Sequence, residues 1–171
     1  FSVEKKLRSA DNPREIWLAF TPIKLNYLNL MIQKATELGV TRFIPLLSDR
    51  TVVRKINEKR VKKIIVEASE QSNRLNLPIL DKLKKLEDFL KENTDTTIFF
   101  GDLNSDNKKI DIQSDEPICV LIGPEGDFSI KEREIIAKMK NIIPLNINKN
   151  ILRSETAAIS IISIISYTFL S

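Results

Sequence analysis

The most constraining feature of this chain is a continuous apolar run at residues 117–123, which reads PICVLIG. A run without polar interruptions is typical of a strand that is buried on both faces of a sheet. Such a strand needs a layer of helices on each side, and the segments around it have helical periodicity. The chain is therefore predicted to be an α/β protein.

Strand and helix patterns alternate along the chain. Residues 24–39 place apolar side chains on one helical face and end at Gly39, where a C-cap glycine belongs. Ser129 and Glu132 have the spacing of a capping box. The predicted strands are 15–21, 41–48, 96–102, 117–123 and 142–147, and the predicted helices are 24–39, 57–72, 83–93, 129–141 and a last one from Ser154 or Glu155, with a surface loop at 104–116. This βαβ spacing predicts a mainly parallel sheet with helices on both faces.

Composition excludes several classes of enzyme. The 171 residues contain no histidine and only one cysteine, so Ser-His-Asp and Cys-His catalysis, histidine metal sites and disulfides are excluded. The four glycines form neither GxGxxG nor a Walker A loop. A lone Cys119 fits a reducing, cytoplasmic compartment. With no histidine and no second cysteine as ligands, we expect no metal. The net charge of +4 is compatible with an RNA partner.

The C-terminal run AAISIISIISYTFLS is the only membrane candidate. Its 15 residues fall short of the roughly 20 that a span requires, and serine recurs at Ser160, Ser163 and Ser166. We therefore expect a buried helix with a serine edge and no membrane partner. The polar N-terminus lacks the apolar core of a signal peptide.

Three segments follow predicted strands, where ligands bind in open α/β sheets: 99–104, 122–129 and 146–157. In the second, Gly123 and Gly126 can take positive φ and Pro124 stiffens the turn, although a plain strand-to-helix connection explains them equally well. In the third, Arg153 precedes a helix start, where a cation gains nothing from the helix dipole. We expect its side chain to reach an anion or a carboxylate.

A second polar set occurs at the end of a predicted helix, in the string EASEQSNR. Glu67, Glu70, Gln71 and Arg74 are spaced to share one helical face. Without further context, a solvated helix end is the simpler interpretation.

Together these strings resemble the bacterial RsmE-type 16S ribosomal RNA uracil-N3 methyltransferases of the SPOUT (trefoil-knot) superfamily. The matching blocks are LAFTPIK at 18–24, QKATELGVTRFIPL at 33–46, EASEQSNR at 67–74, IGPEGDFS at 122–129 and ILRSETA at 151–157. Five blocks in the family's order make the resemblance specific. The ribose-methylating branch typically begins with Asn-Gly-Arg, which is absent near the first strand, so base methylation is favoured.

The resemblance implies a deep C-terminal trefoil knot, a homodimer, and 16S ribosomal RNA of the small subunit as the partner. It also implies that residues 15–171 are the SPOUT domain and that residues 1–14 are the remnant or linker of a missing N-terminal PUA-like domain. S-adenosylmethionine is expected as the cofactor, held by the three loops. The implied cofactor-binding residues are Phe100, Gly101, Ile122, Gly123, Pro124, Gly126, Ile147, Asn148, Ile151 and Leu152.

The remaining roles are hypotheses on the same resemblance. Arg153 would stabilise negative charge on the uracil, Glu125 would orient Arg153 or accept the N3 proton, and Gln71 and Arg74 would hold the substrate. The cations Arg42, Arg50, Arg54, Lys55 and Arg60 could follow the RNA backbone, although surface solvation explains most such charges.

Two positions depart from the family pattern. Asp127 and Asn148 stand where glycine is expected, and Asn148 can adopt positive φ. These departures support one alternative, a non-catalytic RNA-binding or assembly module with the same fold. A SPOUT methyltransferase with another RNA target is the other alternative.

Overall fold

A computed structural model of the protein describes residues 14–110, 112 and 116–169. Its strands form one sheet in the order β3-β2-β1-β6-β5-β7, with β4 also paired to β2, and every pair is parallel. The strands are β1 Ile16–Phe20, β2 Arg42–Leu47, β3 Ile79–Leu80, β4 Lys84–Lys85, β5 Thr97–Gly101, β6 Ile118–Ile122 and β7 Ile142–Leu145, and the helices are α1 Leu25–Glu37, α2 Glu58–Gln71, α3 Leu86–Glu92, α4 Ile130–Lys138 and α5 Ser154–Thr168. The predicted α/β fold with a mainly parallel sheet is confirmed.

Helices cover both faces of the sheet. Helices α1, α2 and α5 pack on one face in a core that includes Val120 of β6. Helices α3 and α4 pack on the other face, in a core that includes Cys119 and Leu121. All five residues of β6 are buried, which is why the run at 117–123 has no polar position.

Local signals in the sequence set the ends of several helices. Helix α1 ends in a Schellman motif, because Gly39 has φ +100°, its amide donates to Thr36 and the Val40 amide donates to Ala35. The capping box of Ser129 and Glu132 opens α4 as predicted. Both predictions are confirmed.

The C-terminal helix α5 is part of the core. Its buried residues include Ala158, Ile161 and Ile165, and the exposed edge includes Ser163. On the serine edge, the Ser166 hydroxyl donates to the Leu38 carbonyl at 2.6 Å. No helix in the described ranges is long and apolar enough to cross a membrane.

Two short strands and several element boundaries differ from the sequence prediction. The two-residue strands β3 and β4 were not predicted, and β4 takes the start of the predicted helix 83–93. Helix α4 ends at Lys138 instead of Asn141, and the side-chain Nδ2 of Asn141 donates to the carbonyls of Asn93 and Thr96, both at 2.8 Å. Such short pairings depend on contacts distant in sequence, which hydrophobic periodicity does not record.

Two predictions from the resemblance are not tested by these features. Residues 1–13, which make up nearly all of the predicted linker, lie outside the described residues. The trefoil knot stays a prediction.

Candidate active site

Three loops meet at the carboxyl edge of the sheet and enclose a cavity of about 260 Å³. They follow β5, β6 and β7, which are neighbouring parallel strands and therefore end at the same edge. Segments 99–104, 122–129 and 146–157 were predicted to hold a ligand, and the fold brings all three together.

The cavity has an apolar floor and a polar rim. Ile122 and Leu145 from the strand ends and Ile161 from α5 form part of the floor and are buried. The polar side chains that line the cavity are Asp102, Asn104, Glu125, Asp127, Arg133, Asn146, Asn148, Asn150 and Ser154. This arrangement suits a ligand with a flat apolar part and several polar groups.

Nine of the ten predicted cofactor-binding residues line the cavity. They are Phe100, Gly101, Ile122, Gly123, Pro124, Ile147, Asn148, Ile151 and Leu152. The tenth, Gly126, lies in the adjoining turn, where its carbonyl accepts a hydrogen bond from Arg50 at 2.8 Å. The roles of these residues in binding stay predictions.

The turn after β6 differs from the expected geometry. The Asp127 amide closes it by donating to the Pro124 carbonyl at 2.9 Å. Asp127 takes the left-handed conformation, with φ +63°, whereas neither Gly123 nor Gly126 does. The two glycines do not use the positive φ that is open to them, and the left-handed residue lies at the position where the resemblance leads us to expect glycine. Gly123 serves packing instead, since a Cβ there would lie 3.0 Å from the Phe128 ring.

Arg133 links two of the loops across the rim. Its Nη2 donates to Asp102 Oδ1 at 2.7 Å, and its Nε lies 3.3 Å from Asp127 Oδ2. Its guanidinium also lies over the Phe100 ring, 5.6 Å from the centroid. Sequence reasoning missed this cluster. The available signal was a loop aspartate after each of two strands together with an arginine one turn into the next helix.

The asparagines of the last loop stabilise its backbone through their side chains. Asn146 Oδ1 accepts from the Asn148 amide at 3.3 Å, and Asn148 Oδ1 accepts from the Asn150 amide at 2.9 Å. Asn148 does not take a positive φ. Within the described residues, the amides of Ile147 and Leu152 have no hydrogen-bond acceptor, so they are free to meet a ligand in the cavity.

Arg153 lies beside the cavity at the N-cap of α5 and is exposed. Its guanidinium stacks on the Tyr27 ring of α1, 5.0 Å from the centroid. The Tyr27 side chain raises the pKa of Arg153, and the charges of Glu155 and Glu125 raise it further. The anion or carboxylate partner predicted for Arg153 stays a prediction.

Gln71 and Arg74 do not line this cavity. Helix α2 ends at Gln71, so Arg74 is not on the predicted helical face; Asn73 has φ +56° and turns the chain. Arg74 Nη1 then donates to the carbonyls of Thr36 and Val40, both at 2.7 Å. Burial lowers the pKa of Arg74. Gln71 is exposed at the helix end.

The family model of the RNA methyltransferase domain matches residues 10–166. The chain belongs to the RNA methyltransferase family. It is 34% identical over 165 residues to ribosomal RNA small subunit methyltransferase E of Rickettsia conorii, a match that covers 94% of this chain and 68% of that relative. It is 30% identical over 175 residues to the enzyme of the same name from Aquifex aeolicus, covering 95% of this chain and 73% of the relative.

Solved structures of other methyltransferases have the same fold. The small subunit methyltransferase E of Neisseria gonorrhoeae, bound to S-adenosyl methionine, superposes with a TM-score of 0.82 at 27% identity, over 91% of this chain and 67% of that one. The SpoU methyltransferase AviRb of Streptomyces viridochromogenes, at 15% identity and a TM-score of 0.57, shares the fold, over 91% of this chain and 60% of that one. The predicted resemblance to the RsmE-type family is confirmed.

Proposed function

We propose that this RNA methyltransferase family member transfers a methyl group from S-adenosylmethionine to N3 of a uridine in 16S ribosomal RNA of the small subunit. The observation that carries the proposal is the cavity formed by the three loops after β5, β6 and β7. Relatives named as small subunit ribosomal RNA methyltransferases, one of them solved with S-adenosyl methionine, support both substrate and cofactor.

The residues around the cavity fit this cofactor. The apolar floor offers walls for an adenine ring, and the unpaired amides of Ile147 and Leu152 can meet its ring nitrogens. The carboxylates of Asp102, Asp127 and Glu125 outnumber the single cation Arg133 among the lining side chains, which suits a positively charged ligand. When bound, S-adenosylmethionine supplies an electrophilic methyl group.

The substrate side of the site is exposed. N3 of uracil carries a weakly acidic proton, so reaction there requires the proton to be removed or the resulting negative charge to be stabilised. The Arg153 guanidinium, which is always protonated near neutral pH, would stabilise that charge. Glu125, exposed on the cavity rim, would accept the proton or orient Arg153.

Other elements of the proposal rest on the family alone. They are a homodimer and contact of Gln71 and Arg74 with the uracil or its phosphate. A cytoplasmic location is proposed from the single cysteine, Cys119. For Arg74, two backbone carbonyls already occupy Nη1, so substrate contact would have to use other atoms of its guanidinium.

The test is calorimetric titration of the purified chain with S-adenosylmethionine and with S-adenosylhomocysteine, followed by methylation of small-subunit ribosomal RNA and mass spectrometry of the nucleosides. We expect saturable binding by both the wild type and Arg153→Ala. Methylation by Arg153→Ala should fall by roughly 100-fold or more, as when a charge-stabilising donor is removed. Lys140→Ala, which removes another exposed cation, is the matched control and should retain activity.

Each outcome distinguishes between the hypotheses. A folded chain that binds RNA but neither ligand would support the non-catalytic RNA-binding alternative. A methylated nucleoside other than N3-methyluridine would support a different RNA target. Near-wild-type activity of Arg153→Ala would remove this residue from the mechanism.

A further inference from the structure

Positive charge is concentrated in one stretch of the chain, residues 50–63. This basic segment holds seven Lys or Arg residues and one Glu, so it is net +6. The rest of the chain, with 20 Lys or Arg and 22 Asp or Glu, is net −2. The mild overall charge therefore conceals a strongly asymmetric distribution, which is the electrostatic pattern of a surface for a polyanion.

The cations of the basic segment are exposed and hardly neutralised. Among the described residues, no carboxylate lies within salt-bridge distance of Arg54, Lys55, Lys59 or Lys62. Of the five cations proposed from the sequence to follow RNA, Arg42 differs, because it forms a bidentate pair with Asp81 and stacks on Trp17. Arg42 is thus engaged in contacts within the fold, whereas the cations of the basic segment are available to a ligand.

The start of the basic segment is attached to a loop of the active-site cavity. Arg50 Nη1 donates to the Gly126 carbonyl at 2.8 Å. Just before the segment, the Asp49 amide donates to Glu132 Oε1 at 2.8 Å, and the Ser129 hydroxyl donates to Asp49 Oδ2 at 2.7 Å. Three hydrogen bonds therefore hold the basic surface next to the turn that contributes Pro124 and Glu125 to the cavity rim.

The surface continues into a polar groove of about 480 Å³ between α1 and α2. The groove is lined by the cations Arg60 and Lys63, the side-chain amides of Asn29 and Gln33, the carboxylate of Glu67, and the apolar Ile64 and Ala68. With the Asn29 side-chain amide in the orientation that satisfies its hydrogen bonds, its oxygen accepts from Arg60 Nη2 at 2.8 Å, an interaction that leaves the charge of Arg60 uncompensated. Lys63 has only a 3.6 Å contact with Glu67, between two exposed side chains. The two cations outnumber the single carboxylate of Glu67, so the groove has a net positive charge that suits phosphate groups.

We propose that the basic segment binds the phosphates of the RNA strand that flanks the target nucleotide. This inference rests on the proposed function, because it assumes an RNA substrate at the cavity. A base that enters the cavity must leave its stack, so its neighbours are presented as a single strand whose backbone passes the rim. Contacts with phosphates position the strand without reading its sequence.

The test replaces Arg54, Lys55, Lys59 and Lys62 together by Gln. Binding of a labelled oligouridine of about 20 nucleotides is measured by fluorescence anisotropy between roughly 50 and 200 mM salt. We expect the variant to bind roughly tenfold more weakly or worse, with a dependence on salt that is shallower by about 0.7 for each phosphate that is no longer neutralised. The matched control replaces Lys82, Lys85, Lys91 and Lys138 by Gln. These four exposed cations lie in or next to β4, α3 and α4, and their replacement changes the net charge by the same amount.

The outcomes are separable from those of the proposed function. Titration of the same variants with S-adenosylmethionine should match the wild type, whether or not RNA binds. An equal loss of RNA affinity in both variants would overturn the proposal, because it would reflect the change in net charge alone. Unchanged RNA binding in the basic-segment variant would also overturn it. A circular dichroism melt of both variants shows that each is folded.

Discussion

At the scale of the residue, Asp127 combines an unfavourable backbone conformation with an ion pair to Arg133. Its left-handed backbone costs an L-residue about 1–2 kcal/mol, less for aspartate, whose side chain can bond locally. Here Oδ1 accepts from the Phe128 amide at 2.7 Å and Oδ2 lies 3.3 Å from Arg133 Nε. The half-exposed ion pair offsets only part of this cost, since such pairs contribute about 0–1 kcal/mol.

The free energy of unfolding of Asp127→Gly should be within about 1 kcal/mol of the wild type. Loss of the ion pair destabilises the variant, whereas glycine removes the strain of the left-handed backbone, and the two effects offset each other. Asp127→Ala should lower that free energy by about 1–2 kcal/mol, since alanine has the strain without the side-chain bond. Urea denaturation followed by circular dichroism measures both. Asp127→Asn is the control that keeps the local bond, and equal stability of the Ala and Gly variants would contradict this account.

At the scale of the element, the ends of α1 and α2 are joined by one side chain. Helix α2 ends in a Schellman motif around Asn73, in which the Arg74 amide donates to the Ser69 carbonyl at 2.9 Å. The turn directs Arg74 towards the end of α1, where it donates to the carbonyls of Thr36 and Val40. These two residues are buried, so their carbonyls have little access to water.

Arg74→Ala should therefore lower the free energy of unfolding by about 1.5–3 kcal/mol, the range for hydrogen bonds that involve a charged group. Methylation activity measured well below the melting temperature should decrease only slightly, because the variant is still folded at that temperature. Gln71→Ala, at the exposed end of α2, is the matched control for stability and should change it by less than about 0.5 kcal/mol. Loss of RNA methylation with unchanged stability would instead favour the substrate-binding role of Arg74.

At the scale of the whole molecule, Cys119 reports on global unfolding. It lies in β6, between β1 and β5, and burial raises the pKa of its thiol to about 12. A thiol reagent that needs the thiolate should not react with the folded chain at pH 8, and should react once urea unfolds it. Reaction of the folded chain at the rate of a free thiol would show that the centre of the sheet opens locally.

The same pKa difference predicts a loss of stability in alkali. The unfolded thiol ionises near pH 9, whereas the folded thiol stays protonated until about pH 12. Between these values the folded state binds the extra proton, so this contribution to stability is complete below pH 9 and is lost as the pH rises. Relative to Cys119→Ala, the free energy of unfolding should fall more steeply by up to about 1.4 kcal/mol per pH unit. Parallel pH profiles would contradict the prediction.

The amino-acid sequence by itself determined the layers of this protein and most of its elements. The apolar run of β6, the helical face of α1, Gly39 and the capping box at Ser129 were all read correctly, because each signal lies within a few residues of the structure that it specifies. The three ligand loops followed from the same patterns, since parallel strands end at one edge.

Only the tertiary structure decided which distant groups meet. It paired β5 with both β6 and β7, placed Arg133 between Asp102 and Asp127, and used Arg74 to bind the end of α1. It also separated Arg42, which is paired within the fold, from the exposed cations of the basic segment. These outcomes depend on which surfaces come together when the core is buried, and periodicity along the chain carries no record of partners distant in sequence.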